Sequence, residues 1–281
     1  MKVLMPTSLD EACGLFARTP GAVPLAGATD LFAHWHQRPT RHESSYLDLS
    51  KIDELKKITW SPQVLSLGAG VTYWQTLNDP AVAAEFPLLS EAARQVGAIQ
   101  IQSRGTWAGN IANASPAADG VPVLMACDAQ LVLVSVRGSR RVSLRSFYTG
   151  YKTSVRAADE LIGAIELPRR TYRVAQFHKV GQRRAQAITK VGLVLTCRDD
   201  VCESPWSVVA VSLAPCVKCC PNVERVLGEG SPSYATLAAA ANADITPIDD
   251  IRSTAAYRRE VFCRVLWEAV RNLPPLCISG T

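Results

Sequence analysis

A chain of 281 residues, 48% of them hydrophobic, is long enough to bury a self-sufficient core and points to two domains. Its 30 basic and 25 acidic residues give a net charge of +5 but are scattered without a basic stripe, which argues against nucleic acid as a partner. Nine cysteines, an odd number, fit a reducing compartment better than a disulfide framework, so the cytoplasm is the expected location.

The first six residues, M-K-V-L-M-P, lack an apolar run of signal-peptide length, and Asp10-Glu11 follows closely, so no secretion signal is expected. No apolar stretch approaches the roughly 20 residues of a membrane helix, so no membrane span is expected either. Ser8-Leu-Asp-Glu11 reads as a capping box that opens a helix with Leu9, Ala12 and Phe16 on one face, ending before Pro20-Gly21. A strand over residues 22–26 runs into Gly27-Ala-Thr-Asp-Leu31, where glycine permits a sharp turn and Thr29 is placed to cap the next helix.

Residues 46–49 and 64–67 read as strands, the second emptying into the turn Gly68-Ala-Gly70 with Thr72 as a helix cap. Two α/β units are thereby implied. A helix is expected from Pro87 to about Val96, with Gly97 past its end. Beyond a glycine- and asparagine-rich stretch at residues 105–119, the spacing predicts a helix over 121–127, a hairpin from 130–136 and 141–144, and a strand over 160–167 that stops at Pro168. Strands over 174–180, 187–197 and 206–213 then precede three helical segments, the last near 254–270, and this order marks a separate domain. The boundary is placed near Pro168-Arg169-Arg170, giving domains 1–170 and 171–281, the first divided into subdomains of about 1–55 and 56–170.

Three turns, at residues 26–30, 68–72 and 105–113, each adjoin a strand or a helix start, so their N–H groups can converge on one anionic ligand, with a diphosphate as the natural occupant. Glycine turns alone are weak support, because most simply close α/β connections. The dinucleotide fingerprint is absent, since Tyr73 stands where a third glycine belongs after Gly68 and Gly70, and no Walker lysine motif occurs.

More specific is the order of three segments: P-L-A-G-A-T-D-L at residues 24–31, R-G-T-W-A-G-N-I-A-N-A-S-P-A-A-D at 104–119, and F-H-K-V-G-Q-R-R at 177–184. Together they resemble the FAD-binding subunit of the molybdenum hydroxylases, the xanthine dehydrogenase and carbon monoxide dehydrogenase group, and the likeness spans nearly the whole chain. It implies an α+β chain of the vanillyl-alcohol-oxidase type, with two α/β subdomains enclosing FAD and a C-terminal antiparallel sheet with helices. Carried onto this sequence, it places the diphosphate at Leu25, Ala26, Gly27, Ala28, Thr29, Asp30 and Leu31, with Gly70 added from the second turn. Ribityl and flavin contacts fall on Thr106, Gly109, Asn110, Ala112, Asn113 and Asp119, with Leu161 and Ile162 near the ring system and Lys179 as a nearby cation. Read without the resemblance, Lys179 is a strand-edge surface lysine.

Two departures from the family pattern add a methyl group near the cofactor, Ala28 and Ala108, each acceptable where φ is negative. Where many relatives carry an acid after Arg183-Arg184, this chain has Gln186-Ala187, which puts the family's electron acceptor in doubt here. Cys197 with Cys202 and Cys216 with Cys219 have a spacing compatible with a metal-bearing hairpin, but the stronger reading of these thiols, Cys220 included, is as small apolar side chains. His34, His36 and His42 are too irregularly spaced for a metal site, and Ser115 has no recognisable His-Asp partners.

The resemblance implies an electron-transfer flavoprotein. A 2Fe-2S subunit and a molybdopterin subunit would be its partners, with NAD or another carrier as acceptor, and a partner's signal would open the periplasm as a location. The flavin supplies the redox chemistry, so no side chain is assigned as catalytic and none as a metal ligand. A self-sufficient FAD-dependent oxidoreductase and a flavin-free scaffold stand as alternatives.

Overall fold

The structure, a computed structural model, describes residues 1–37, 44–201, 205–271 and 273. Strand β1 (Lys2–Leu4) leads to α1 (Leu9–Arg18), which Ser8 caps by accepting the Glu11 N–H. Glu11 does not complete the box by turning back to Ser8; its carboxylate takes the Thr7 N–H instead, at 2.8 Å. Helix α1 buries Ala12, Cys13 and Phe16. Next come β2 (Val23–Leu25), α2 (Thr29–Ala33) and β3 (Ser45–Asp48), and the three strands form a parallel sheet in the order β1-β3-β2. Strand β1 has no local signature, because only its distant pairing with β3 makes it a strand.

The second layer is built from β4 (Ile58–Trp60) and β5 (Val64–Gly68), then a run of short helices: α3 (Tyr73–Leu77), α4 (Pro80–Glu85), α5 (Pro87–Gln95), α6 (Ile99–Gln102), α7 (Trp107–Asn113) and α8 (Gly120–Ala126). Thr72 caps α3 in a complete capping box with Gln75, and α5 begins at Pro87 with Gly97, at φ +51°, just beyond its end. Strands β6 (Gln130–Ser135), β7 (Gly138–Ser143), β8 (Tyr148–Gly150), β9 (Thr153–Ser154) and β10 (Leu161–Pro168) follow. The sheet order is β4-β5-β10-β6-β7 and every pairing in it is antiparallel, unlike the parallel first sheet. Pro168 is the last residue of β10 rather than the residue after it, a terminal position that proline tolerates.

The chain then enters the antiparallel sheet of β11 (Tyr172–Val180), β12 (Val191–Arg198), β13 (Trp206–Val211) and β14 (Lys218–Cys219), followed by α9 (Pro221–Gly228), α10 (Tyr234–Asp244) and α11 (Ala255–Arg271). The central strands β12 and β13 are covered on both faces and so read as nearly continuous apolar runs. Phe177, Val194 and Val209 enter the core shared with α5 and α8, while Leu193, Leu195, Val208 and Ala210 enter a second core with Phe262 and Leu266 of α11. Each of the valine, leucine and phenylalanine side chains among them contributes about 1.5–3 kcal/mol on burial. Asp128 adds a polar tie at the junction, pairing with Arg170, with Arg145 at 3.7 Å and with Arg198 at 3.9 Å. Among the described residues no helix is long and apolar enough to cross a membrane.

Candidate functional site

Where the parallel sheet meets the helices of the second layer, a cavity of about 370 Å³ opens. Its volume lies in the range of small-molecule sites, about 300–1,000 Å³. One wall is the β2–α2 loop, lined by Leu25, Ala26, Gly27, Ala28, Thr29, Asp30 and Leu31. A second wall is α7 and its start: Thr106, Ala108, Gly109, Asn110, Ala112 and Asn113. Leu161 and Ile162 of β10 supply an apolar side.

The first loop is held by close approach rather than by turn geometry. Gly27 does not have a positive φ; a methyl at its Cβ position would sit 1.8 Å from the Arg104 carbonyl oxygen and 2.6 Å from its carbon. Only a residue without Cβ lets residues 26–28 lie against 104–105. Thr29 does not cap α2: it is the first helical residue, and the N-cap position belongs to Ala28, which has no side chain to offer the helix N–H groups.

Ala28 stands at φ 55°, ψ 12°, in the left-handed region, so the condition that would make its methyl harmless, a negative φ, is not met. Left-handed alanine costs about 1–2 kcal/mol, and glycine's extra freedom in the unfolded chain costs about 0.5–1 kcal/mol. Ala28→Gly is therefore expected to stabilise the chain by about 0.5–1 kcal/mol, read as a raised urea midpoint. A lowered midpoint would mean that the loop stores no strain. Ala108 raises no such problem, being a helical residue that is 5% exposed.

The stretch expected as a turn at 105–113 is largely helical. Helix α7 is poor in strong helix formers apart from its alanines, and its position is set by tertiary anchors. The Thr106 hydroxyl accepts the Gly109 N–H at 2.9 Å, the Trp107 N–H reaches Val71 O at 3.2 Å, and the Gly105 carbonyl accepts from Tyr73 N at 3.2 Å. The fully buried Trp107 ring packs on Tyr73 with centroids 4.6 Å apart and donates to Thr76 Oγ1 at 3.2 Å. The turn at 68–72 is thereby joined to the start of α7, and Asn113 Nδ2 donates to Asp30 Oδ1 at 3.0 Å to join the end of α7 to α2. Asn110 keeps a buried Oδ1 without a hydrogen-bond partner, an acceptor on the cavity wall that a bound donor would satisfy.

Three of the expected site residues are not on this wall. Gly70 lines a neighbouring cavity of about 290 Å³, which shares Ala26, Gly27 and Thr106 with the first and adds Lys56 and Arg104. Lys179 is not a surface lysine: its side chain is 8% exposed, and its Nζ donates to Asp119 Oδ2 at 2.7 Å and to the Gln95 carbonyl at 2.9 Å. The Thr189 hydroxyl donates to the other carboxylate oxygen of Asp119. Burial holds Asp119 above the usual carboxylate pKa range, partly offset by the Lys179 charge and hydrogen bond and by the Thr189 hydroxyl. Leu49, Ala69, Tyr73 and Arg156 also line the main cavity. The apolar ones are indistinguishable in sequence from core residues, and Arg156 carries no motif.

Among the described residues, no three His, Cys, Asp or Glu side chains cluster in a way that would hold a metal. Cys197 and Cys220 are buried, Cys216 and Cys219 partly so, and burial raises the thiol pKa values of all four. His34 lies at the end of α2 and His36 in the short 3₁₀ turn after it, while His42, Cys202 and Cys277 lie outside the described residues.

Residues 1–170 match the family model described as the FAD binding domain in molybdopterin dehydrogenase, and residues 171–273 match that of the CO dehydrogenase flavoprotein C-terminal domain. The nicotinate dehydrogenase FAD-subunit of Eubacterium barkeri is 32% identical over 209 residues, covering 72% of this chain and 70% of its own. The glyceraldehyde dehydrogenase medium chain of Sulfolobus acidocaldarius is 28% identical over 268 residues, with 90% and 91% covered. Among solved structures, a carbon monoxide dehydrogenase from Hydrogenophaga pseudoflava superposes with a TM-score of 0.89 over 96% of both chains at 24% identity, a likeness of fold.

Proposed function

Because the chain belongs to the family of FAD-binding domains of molybdopterin dehydrogenases, we propose that it is the electron-transfer flavoprotein subunit of a molybdenum-containing hydroxylase, taking electrons from a 2Fe-2S partner and delivering them to NAD or another acceptor. The observation that carries this reading is the meeting of residues 25–31 and α7 around one cavity, with a second cavity beside it that shares Ala26, Gly27 and Thr106 with the first. An extended dinucleotide suits two adjoining cavities better than one compact ligand would.

The residues present fit FAD. The uncapped start of α2 and the loop before it present backbone N–H groups suited to a diphosphate. The orphaned Asn110 Oδ1 awaits a donor, and Leu161 and Ile162 offer an apolar surface to a planar ring. Bound FAD would supply the redox chemistry, accepting electrons singly or in pairs. The protein's part is to bind and orient it, exclude water from its apolar side and set the charge around it.

Under this reading the substrate is hydroxylated in a molybdopterin subunit, the complex works in the cytoplasm, and residues 1–170 form the cofactor domain with 171–281 as its C-terminal companion. A tagged copy isolated from its host should bring down two further subunits carrying iron and molybdenum, and anaerobic NADH should bleach its flavin if NAD is the acceptor. Turnover by the isolated chain would favour a self-sufficient oxidoreductase, and a complex without flavin would favour a scaffold.

A further inference from the structure

Apart from Arg156, no lysine, arginine or histidine among the described residues lines the main cavity. The cavity's acid, Asp30, is already engaged, since its carboxylate accepts from Asn113. Arg156 lies just before β10, on the same side as Leu161 and Ile162, and is half-buried. Its hydrogen bond to the protein runs from Nη1 to the Glu160 carbonyl, and among the described residues no carboxylate lies within ion-pair distance of its guanidinium. The two acids that follow it in sequence are both paired with other arginines, Asp159 with Arg137 and Glu160 with Arg140. The carboxylate of Glu160 is held by Arg140 in a two-pronged pair at 2.6 and 2.8 Å and also accepts the Ala157 N–H at 2.8 Å. That pairing keeps the Glu160 carboxyl ionised, its pKa lowered to about 2.

Burial pushes the Arg156 pKa below its ordinary value, only partly offset by the charge of the nearby Glu160 carboxylate, although a guanidinium remains charged at neutral pH. A partly buried cation with most of its five N–H donors unengaged is costly unless something else meets it. Lys179 is not in that position, because its ammonium is already matched by Asp119.

Resting on the reading of this cavity as the FAD site, we infer that Arg156 is a further cofactor-binding residue, its guanidinium donating to the isoalloxazine end of bound FAD beside Leu161 and Ile162. A fixed cation there favours the reduced, more electron-rich flavin and so raises its reduction potential. Positive charge at the ring end is then set by Arg156 rather than by Lys179 alone.

The test compares the full-length wild-type chain with Arg156→Gln and Arg156→Lys, measuring the FAD dissociation constant and the midpoint potential of the bound flavin. Arg156→Gln should bind FAD about tenfold more weakly, in line with loss of a charged hydrogen bond, and its potential should move in the negative direction. Arg156→Lys keeps the charge and should recover most of the potential, which a purely structural role would not. A potential in Arg156→Gln equal to that of the wild type overturns the inference even if affinity falls, since the cation would then lie away from the ring. If the wild-type chain itself takes up no FAD, it is the underlying reading of the cavity that fails.

Discussion

Gly27→Ala should cost about 3 kcal/mol of stability or more and abolish FAD uptake. Its added methyl would lie 1.8 Å from the Arg104 carbonyl oxygen, and that obstacle is backbone, not the end of a flexible side chain. Relief requires residues 26–28 and 104–105 to separate, and each of these segments contributes lining to both cavities. The two effects therefore have one cause. Urea unfolding gives the first and a flavin titration the second. A variant with wild-type midpoint and wild-type affinity would show that the two loops are not in contact.

Lys179→Met should destabilise the chain by about 3–5 kcal/mol, because it leaves the Asp119 carboxylate buried without its cation. The loss should depend on pH. Burial already raises the folded-state pKa of Asp119 above its ordinary value, so the folded chain holds this proton more tightly than the unfolded chain does. Stability from this group is fully present below the unfolded pKa and is lost as pH rises through the folded one. Removing Lys179 raises the folded pKa further, so the deficit of the variant should be large at neutral pH and shrink on acidification. Adding Asp119→Asn should recover much of the loss, since a neutral amide replaces the stranded charge. A Lys179→Met deficit independent of pH, with no recovery in the double variant, would mean that the pair is not buried as described.

Much of the fold could be read from local chemistry. The Thr72 capping box, the Pro87 start and Gly97 end of α5, the β6–β7 hairpin and the apolar runs of β12 and β13 each have a cause within a few residues. Features with distant causes were not legible. Strand β1 exists through β3, the antiparallel order of the second sheet depends on β10 inserting between β5 and β6, and α7 is helical because Val71, Tyr73 and Thr76 anchor its start.

The site shows the same division. Residues 24–31 and 104–119 are conspicuous as strings, and the structure brings the first of them and residues 105–113 of the second onto one cavity, leaving Asp119 off its wall. The reason for Gly27 is a carbonyl at residue 104, which no local reading of a glycine turn contains. Lys179 looks like any strand lysine until Asp119 and Gln95 are seen beside it. Arg156 acquires meaning only from a cavity on whose wall no other cation stands among the described residues. Ala28 is the instructive departure, since its effect turns on the sign of one backbone angle that sequence does not display.

The central claim, that this chain itself holds FAD between residues 25–31 and α7, is tested most directly by titrating FAD into the purified, flavin-free chain. Flavin absorbance of the protein-bound fraction and quenching of flavin fluorescence would be followed together. The expected result is saturation at about one FAD per chain with a dissociation constant of about 1 μM or tighter. A folded chain that leaves FAD free in solution would contradict it.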